Sequence, residues 1–359
     1  MVSKDTFRQI DSSEAKIPST YFSPQVQVAI RLNSNESPYS LPVAWQKELA
    51  SAVESIQFNR YPDRFALNLR SALANYHSKN VENIFVANGS NEVIQSIYLA
   101  LSIRSKVGLF EPTYLLHSHI ANILGVPVVQ FLRNDEFKID KSTLDNVVSN
   151  RELSIIMLCS PNNPTGNCED LSTVEYICSN FDGVVVLDEA YVQFSNKSGI
   201  ELLEKYENLI VIRTFSKTWS AAGLRLGYCI GSGTVIERLQ NVSLPYHLDS
   251  IKQVAGILAL EYQDEIQLAT NKIINQRNET YKLLKKLPLQ VYESEANFIM
   301  FRPLNKQSQK LFNALIEKSI LIRYLDSFFN LEPALRVTMG TPEEMDRFHE
   351  ALEDCLKYI

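Results

Sequence analysis

The chain has 359 residues, 45% hydrophobic and 21% charged, the balance of a globular protein with ample apolar side chain for a core; at about 150 residues per domain, about two units are expected. Its 35 Lys and Arg against 41 Asp and Glu leave a net charge of −6, which offers no general attraction to nucleic acid or anionic lipid. Five scattered cysteines (Cys159, Cys168, Cys178, Cys229 and Cys355) form no C-x-x-C pair, and no secretory signal or run of about 18 apolar residues is seen, which predicts a reducing, cytoplasmic setting.

In chain order, residues 1–27 read as a polar arm and Leu32 to Pro38 as a loop of turn formers. A helical pattern begins near Leu41. Short apolar runs then alternate with helix-period segments: Ile84 to Ala87, Val107 to Phe110, Val128 to Phe131, Ser154 to Leu158, Val184 to Leu187, Leu209 to Ile212 and Arg225 to Ile230. That alternation predicts βαβ units and a mostly parallel sheet with helices on its faces. After about Pro245 the rhythm changes. Charged helices over Ile251 to Leu287 are followed by strand-like Ala296 to Phe301, a helix around Gln307 to Lys318, strand-like Ile320 to Tyr324 and Leu335 to Met339, and a terminal helix. The expected organisation is an arm over 1–27, a large α/β unit over 49–245, and a smaller α+β unit built from 28–48 and 246–359.

Ligands of parallel α/β sheets sit outside the carboxyl ends of the strands, so the residues just past each apolar run carry the most information. Asn88-Gly89-Ser90-Asn91-Glu92 precedes a helix, where glycine admits close approach and exposed N–H groups attract phosphate; taken alone, such a sequence is more often a plain turn and N-cap. Ser160-Pro161-Asn162-Asn163-Pro164-Thr165-Gly166 is a tightly fixed loop. Asp188-Glu189-Ala190-Tyr191 places a carboxylate at the end of a buried strand, where it needs a cation or strong donors, although a helix cap would also account for Asp188. Ser216 and Lys217, followed by Gly223-Leu224-Arg225-Leu226-Gly227, bring a hydroxyl and two cations to the same edge.

Pyridoxal phosphate would use all of these ends. It needs an amine (Lys217), a carboxylate for its ring nitrogen (Asp188), donors to its phenolic oxygen (Asn163 and Tyr191), and a phosphate seat (Gly89, Ser90, Ser216 and Arg225). Tyr114, in Glu111-Pro112-Thr113-Tyr114, offers a ring to stack on it, with core packing as its alternative role.

In this order these motifs, with Asn35-Glu36-Ser37-Pro38, Arg60-Tyr61-Pro62-Asp63 and Leu335-Arg336-Val337-Thr338-Met339-Gly340-Thr341, resemble the fold-type-I aminotransferases from about Leu32 to Ile359. The resemblance implies a mostly parallel seven-stranded sheet between helices, plus a smaller α+β domain. It implies Lys217 as the Schiff-base lysine, and Asp188 and Tyr191 as its catalytic companions. Asn91 falls in the cofactor-phosphate loop, where many relatives carry an acidic residue. Tyr61 would reach the cofactor phosphate of a neighbouring subunit, hence a homodimer. Arg336 would take the substrate carboxylate and Arg323 a substrate phosphate, with a surface arginine as the other reading of Arg323, while Asn35 lies in a segment that closes over the site. The implied substrates are glutamate and a phosphorylated amino alcohol bearing imidazole; an aromatic amino-acid aminotransferase or a phosphothreonine decarboxylase on the same scaffold is the alternative. Leu115-Leu116-His117 stands where relatives often show Gly-Met-Tyr, and His247 follows Pro245-Tyr246 where Asn is more usual. No metal is expected, because the five histidines include no H-E-x-x-H; each reads as a solvated or satisfied-core histidine.

Overall fold

The computed structural model describes residues 26–102 and 105–358, so nearly all of the arm expected over 1–27 lies outside the described residues. Two sheets organise the chain. The larger has seven strands: β2 (Ile84–Ala87), β3 (Lys106–Glu111), β4 (Val128–Leu132), β5 (Leu153–Cys159), β6 (Val184–Asp188), β7 (Leu209–Thr214) and β8 (Gly227–Ile230). Their spatial order is β2-β8-β7-β6-β5-β3-β4, parallel throughout except for β8, which runs antiparallel to both β2 and β7.

The central strands are apolar on both sides, as a sheet sandwiched between helices requires. In β5, Ile155 and Met157 enter one core and Ile156 and Leu158 the other. In β7, Ile210 and Ile212 alternate in the same way with Leu209 and Val211. Truncating any one of these fully buried side chains to alanine costs about 2–5 kcal/mol.

The smaller sheet has five strands, in the order β1-β11-β12-β10-β9: β1 (Ile30–Leu32), β9 (Leu289–Val291), β10 (Phe298–Pro303), β11 (Ile320–Leu325) and β12 (Ala334–Thr338). β1 pairs in parallel with β11, which brings the following segment, Asn33 to Ser37, across to the larger sheet's edge. The terminal helix Pro342–Leu356 starts with a Thr341–Glu344 capping box and Pro342, and it lays Met345, Phe348 and Leu352 on this second core.

The charged helices expected over Ile251 to Leu287 are Ser250–Glu261 and Gln263–Leu284, separated at Tyr262. Two features differ from the sequence expectation. The helix Ser250–Glu261, inside the span 246–359, packs on Leu67–Tyr76 beside the larger sheet; Gly256 permits this, since a Cβ there would stand 2.6 Å from Leu226 and 2.9 Å from Leu69. The run Arg225 to Ile230 is strand only from Gly227, because Arg225 has φ +53° and ends a tight turn over Ala222–Leu224.

Candidate active site

The topology sends the carboxyl ends of β2, β3, β5, β6 and β7 to one edge, where β8 begins. Ser90, Asn91, Tyr114, Asp188, Tyr191, Ser216, Lys217 and Arg225 all line a single cavity there, floored by Cys159 and Thr214. Asp188 and Glu189 are adjacent but separated in task. Glu189 turns away to a buried ion pair with Arg213 at 2.6 Å and accepts from the Gly199 N–H at 2.6 Å, which leaves Asp188 facing the cavity.

Lys217 Nζ donates to the Ser34 carbonyl at 2.9 Å. Its pKa is pulled down to about 7, chiefly by burial, then by the Arg336 and Arg225 cations, against the opposing pull of Glu36. The neutral, nucleophilic amine therefore predominates above about pH 7, where an ordinary lysine is still protonated. In the apoprotein, acetylation of Lys217 by a trace of acetic anhydride should rise to half its maximal rate near pH 7, whereas exposed lysines go on rising beyond pH 10. A Lys217 midpoint near 10.5 would contradict this environment.

Asp188 is buried. Its Oδ1 accepts from the Ala190 N–H at 3.1 Å, and its Oδ2 lies 3.0 Å from His117 Nε2. His117 is wholly enclosed and belongs to the site, although it read as a solvated or plain core histidine in the sequence. The available signal was its place three residues beyond Tyr114, the N-cap of the helix Leu115–Ile123; the two rings meet edge-on with centroids 5.3 Å apart.

The Tyr191 hydroxyl accepts from Asn35 Nδ2 at 2.9 Å and from Asn163 Nδ2 at 3.4 Å. Burial pushes its pKa up, so the phenol stays protonated. With two amides already donating to that oxygen, its own hydrogen is what it offers to the cavity. Asn35, at φ +54°, is fixed by bonds with Thr338 and Asn297. Arg336 Nη1 donates to Asn163 Oδ1 at 2.5 Å and Nη2 to the Asn33 carbonyl at 2.9 Å, and its guanidinium lies over the Phe298 ring. Arg323 stands directly opposite Arg336 across β11 and β12, and both are buried, so Arg323 is not a surface arginine. Like charges opposed across a ladder are unfavourable, and an anion bound between them offsets that cost.

At the other end of the cavity, the helix Ser90–Leu101 begins with its free N–H groups beside Arg225, whose Nη1 donates to Ser216 Oγ at 3.2 Å. Gly89 has φ +82°, and a Cβ there would stand 2.7 Å from Arg225 Nη2. A Cβ on Gly227 would stand 2.4 Å from the Ser90 nitrogen. Both glycines are therefore set by how closely the backbone, the guanidinium and the helix start approach one another. This donor set suits pyridoxal phosphate: an amine of lowered basicity, a buried carboxylate, a phenol and a helix start with an arginine face one cavity.

Tyr114 donates to Asn91 Oδ1 at 3.3 Å. Tyr61 does not line the cavity; it is 81% exposed and stacks on Tyr246 at 4.4 Å. His247 is taken up by the Val86 carbonyl at 3.1 Å and by stacking on Phe85, a packing role. Among the described residues, no cluster of three or more His, Cys, Asp or Glu side chains could hold a metal ion, and no helix is long and apolar enough to cross a membrane.

Residues 27–352 match the family model of aminotransferase class I and II. The chain is 39% identical over 340 residues to the histidinol-phosphate aminotransferase of Thermobifida fusca, covering 92% of this chain and 91% of that one. The crystal structure of histidinol-phosphate aminotransferase from Sinorhizobium meliloti in complex with pyridoxal-5'-phosphate is similar with a TM-score of 0.87 at 21% identity, over 96% of this chain and 97% of that chain. An L-threonine-O-3-phosphate decarboxylase from Porphyromonas gingivalis gives 0.80 at 22% identity, over 91% and 99%. At such identities these likenesses speak for the fold alone, which two different chemistries share.

Proposed function

Because the chain belongs to the class I and II aminotransferases, we propose that it transfers an amino group between L-histidinol phosphate and 2-oxoglutarate, giving imidazole acetol phosphate and glutamate in histidine biosynthesis. The fold is that of the fold-type-I aminotransferases, and the cofactor is pyridoxal 5'-phosphate, which when bound supplies an electron sink for the bond being broken at the substrate α-carbon. What supports the residue assignment most strongly is that Asp188 and Lys217, far apart in sequence, line the same cavity.

In this reading Lys217 holds the cofactor covalently and, once released, carries the α-proton on Nζ, a task matched to an amine whose pKa is about 7. Asp188 keeps the ring nitrogen protonated. Tyr191 and Asn163 hold the phenolic oxygen, Tyr114 stacks on the ring, and Gly89, Ser90, Asn91, Ser216 and Arg225 seat the phosphate. Arg336 takes the carboxylate of glutamate. Arg323, beside it, takes the phosphate of histidinol phosphate, so one guanidinium pair serves both substrates. Asn35 belongs to the covering segment. The protein works as a homodimer in the cytoplasm. Tyr61 reaches the partner's site, and the exposed apolar surface around it, with Phe58, Phe65 and Leu244, is what a second copy covers.

Steady-state rates with histidinol phosphate and 2-oxoglutarate should exceed those with phenylalanine or tyrosine as amino donor, and phosphothreonine should release no carbon dioxide. A higher kcat/KM for an aromatic amino acid, or carbon dioxide release from phosphothreonine, would transfer the assignment to one of those reactions.

A further inference from the structure

The two faces of the smaller sheet have different neighbours. Ile299 and Phe301 of β10 and Leu335 and Val337 of β12 enter the core under the terminal helix, whereas Met300, Leu325 and Ala334 enter a separate apolar cluster on the opposite face. The register sets Met300 and Arg323 opposite Arg336, and Leu325 opposite Ala334, so this cluster and the arginine pair share one face of the sheet. Phe137, in the loop after β4 of the larger sheet, completes the cluster. Its buried ring meets that of Tyr292 with centroids 5.2 Å apart at 60°, and Leu115, the residue after Tyr114, packs on the same cluster.

Phe137 has φ +60°, a conformation that bulky residues rarely adopt, and its surroundings hold it there. Its N–H donates to the Asn134 carbonyl at 2.8 Å, and its own carbonyl accepts from Arg133 Nη1 at 3.0 Å and from Asn167 Nδ2 at 3.1 Å. Both donors are tied to the loop that carries Asn163. Arg133 is buried and paired with Glu169, whose N–H donates to Ser160 Oγ at 3.0 Å. Asn167 accepts from the Thr165 hydroxyl on its side chain and from the Asn162 N–H on its carbonyl. The bond from Arg336 Nη1 to Asn163 Oδ1 closes the circuit: the same loop touches the arginine directly and braces the ring that supports its sheet.

We propose that Phe137 is a positioning residue, a wedge braced by Arg133 and Asn167 that sets how far the Arg323 and Arg336 pair stands from the rest of the cavity. This inference rests on the reading of those arginines as the seat of the substrate anions. Phe137 does not line the cavity and acts only through the smaller sheet, so its effect falls on substrate binding and spares the cofactor, whose assigned contacts lie at the strand ends of the larger sheet.

The test is made on the full-length holoenzyme. Phe137→Gly removes the ring and suits the positive φ, so the backbone bonds to Arg133 and Asn167 remain and the fold is kept. KM for histidinol phosphate and for 2-oxoglutarate should both rise about tenfold, with kcat and the Kd for pyridoxal 5'-phosphate changed less than about twofold, as when ground-state and transition-state binding weaken alike. Phe137→Leu, which keeps an apolar wedge, should restore most of the loss. Backbone hydrogen exchange in Phe137→Gly should quicken over Asn33 to Ser37 and over residues 320–338, and stay unchanged over β5, β6 and β7. An unchanged KM in Phe137→Gly, a parallel loss of kcat and cofactor affinity, or a leucine variant no better than glycine would overturn the proposal. A wild-type protein that turns over neither substrate would instead sink the assigned reaction, and the exchange comparison would still decide the wedge.

Discussion

Lys217→Ala is expected to lose transamination by at least about 10⁴-fold, because one substitution removes both the covalent attachment point and the group that carries the α-proton. The fold should survive the change. An amine whose pKa is pulled down to about 7 is held in surroundings that disfavour its charge, and among the described residues it donates one hydrogen bond, to the Ser34 carbonyl. Losing it leaves no buried ion unpaired, so the thermal midpoint should stay level or rise slightly. Lys217→Arg is the control: it keeps a cation in the cavity, yet guanidinium does not deprotonate near neutrality and should be as inactive as alanine. The measurement is kcat with saturating histidinol phosphate and 2-oxoglutarate, alongside a melting curve. Wild-type turnover in either variant would remove Lys217 from the mechanism.

Asp188→Ala should lower kcat by about 10²–10³-fold, the scale of removing one preorganised electrostatic partner from a site closed to water. The cause differs from that at Lys217. Asp188 is a fixed anion held by two donors, the Ala190 N–H and His117 Nε2, and its loss leaves the latter buried without an acceptor. That orphaned donor costs about 1–3 kcal/mol of stability, so this variant, unlike Lys217→Ala, should also melt earlier. Asp188→Asn separates the two effects. Its amide oxygen still accepts from His117, so stability should largely return, while the missing charge keeps kcat low. An asparagine variant with full activity would mean that shape, and not charge, is what the ring nitrogen needs.

The larger sheet was legible because each of its central strands is apolar on both faces and ends in an unusual residue. Asp188 follows Val184 to Leu187, and Lys217 comes shortly after Leu209 to Ile212, so the parallel topology alone brings them to one edge. Gly89 and Gly227 were legible as glycines in motifs, but the reason for them, Arg225 and the Ser90 nitrogen within Cβ range, is a packing fact that sequence does not carry. His117 stood out only as a departure from the Gly-Met-Tyr of relatives and read as a solvated or core histidine, because a lone histidine has no periodicity of its own and its meaning depends on a carboxylate 71 positions away. The opposition of Arg323 and Arg336 is a matter of strand register, fixed by the turn between β11 and β12 and the burial of their neighbours. Strands β1 and β9 are three residues each, too short for alternation to announce them, yet β1 is what carries Asn33 to Ser37 over Lys217.

The central claim is that Lys217 is the amine which binds pyridoxal phosphate covalently in the cavity it shares with Asp188. Borohydride reduction of the holoenzyme followed by peptide mass mapping tests it most directly. The account predicts one phosphopyridoxyl group per chain, on the peptide containing Lys217 and lost in Lys217→Ala. A peptide unmodified at Lys217, with the label on another lysine, would contradict it.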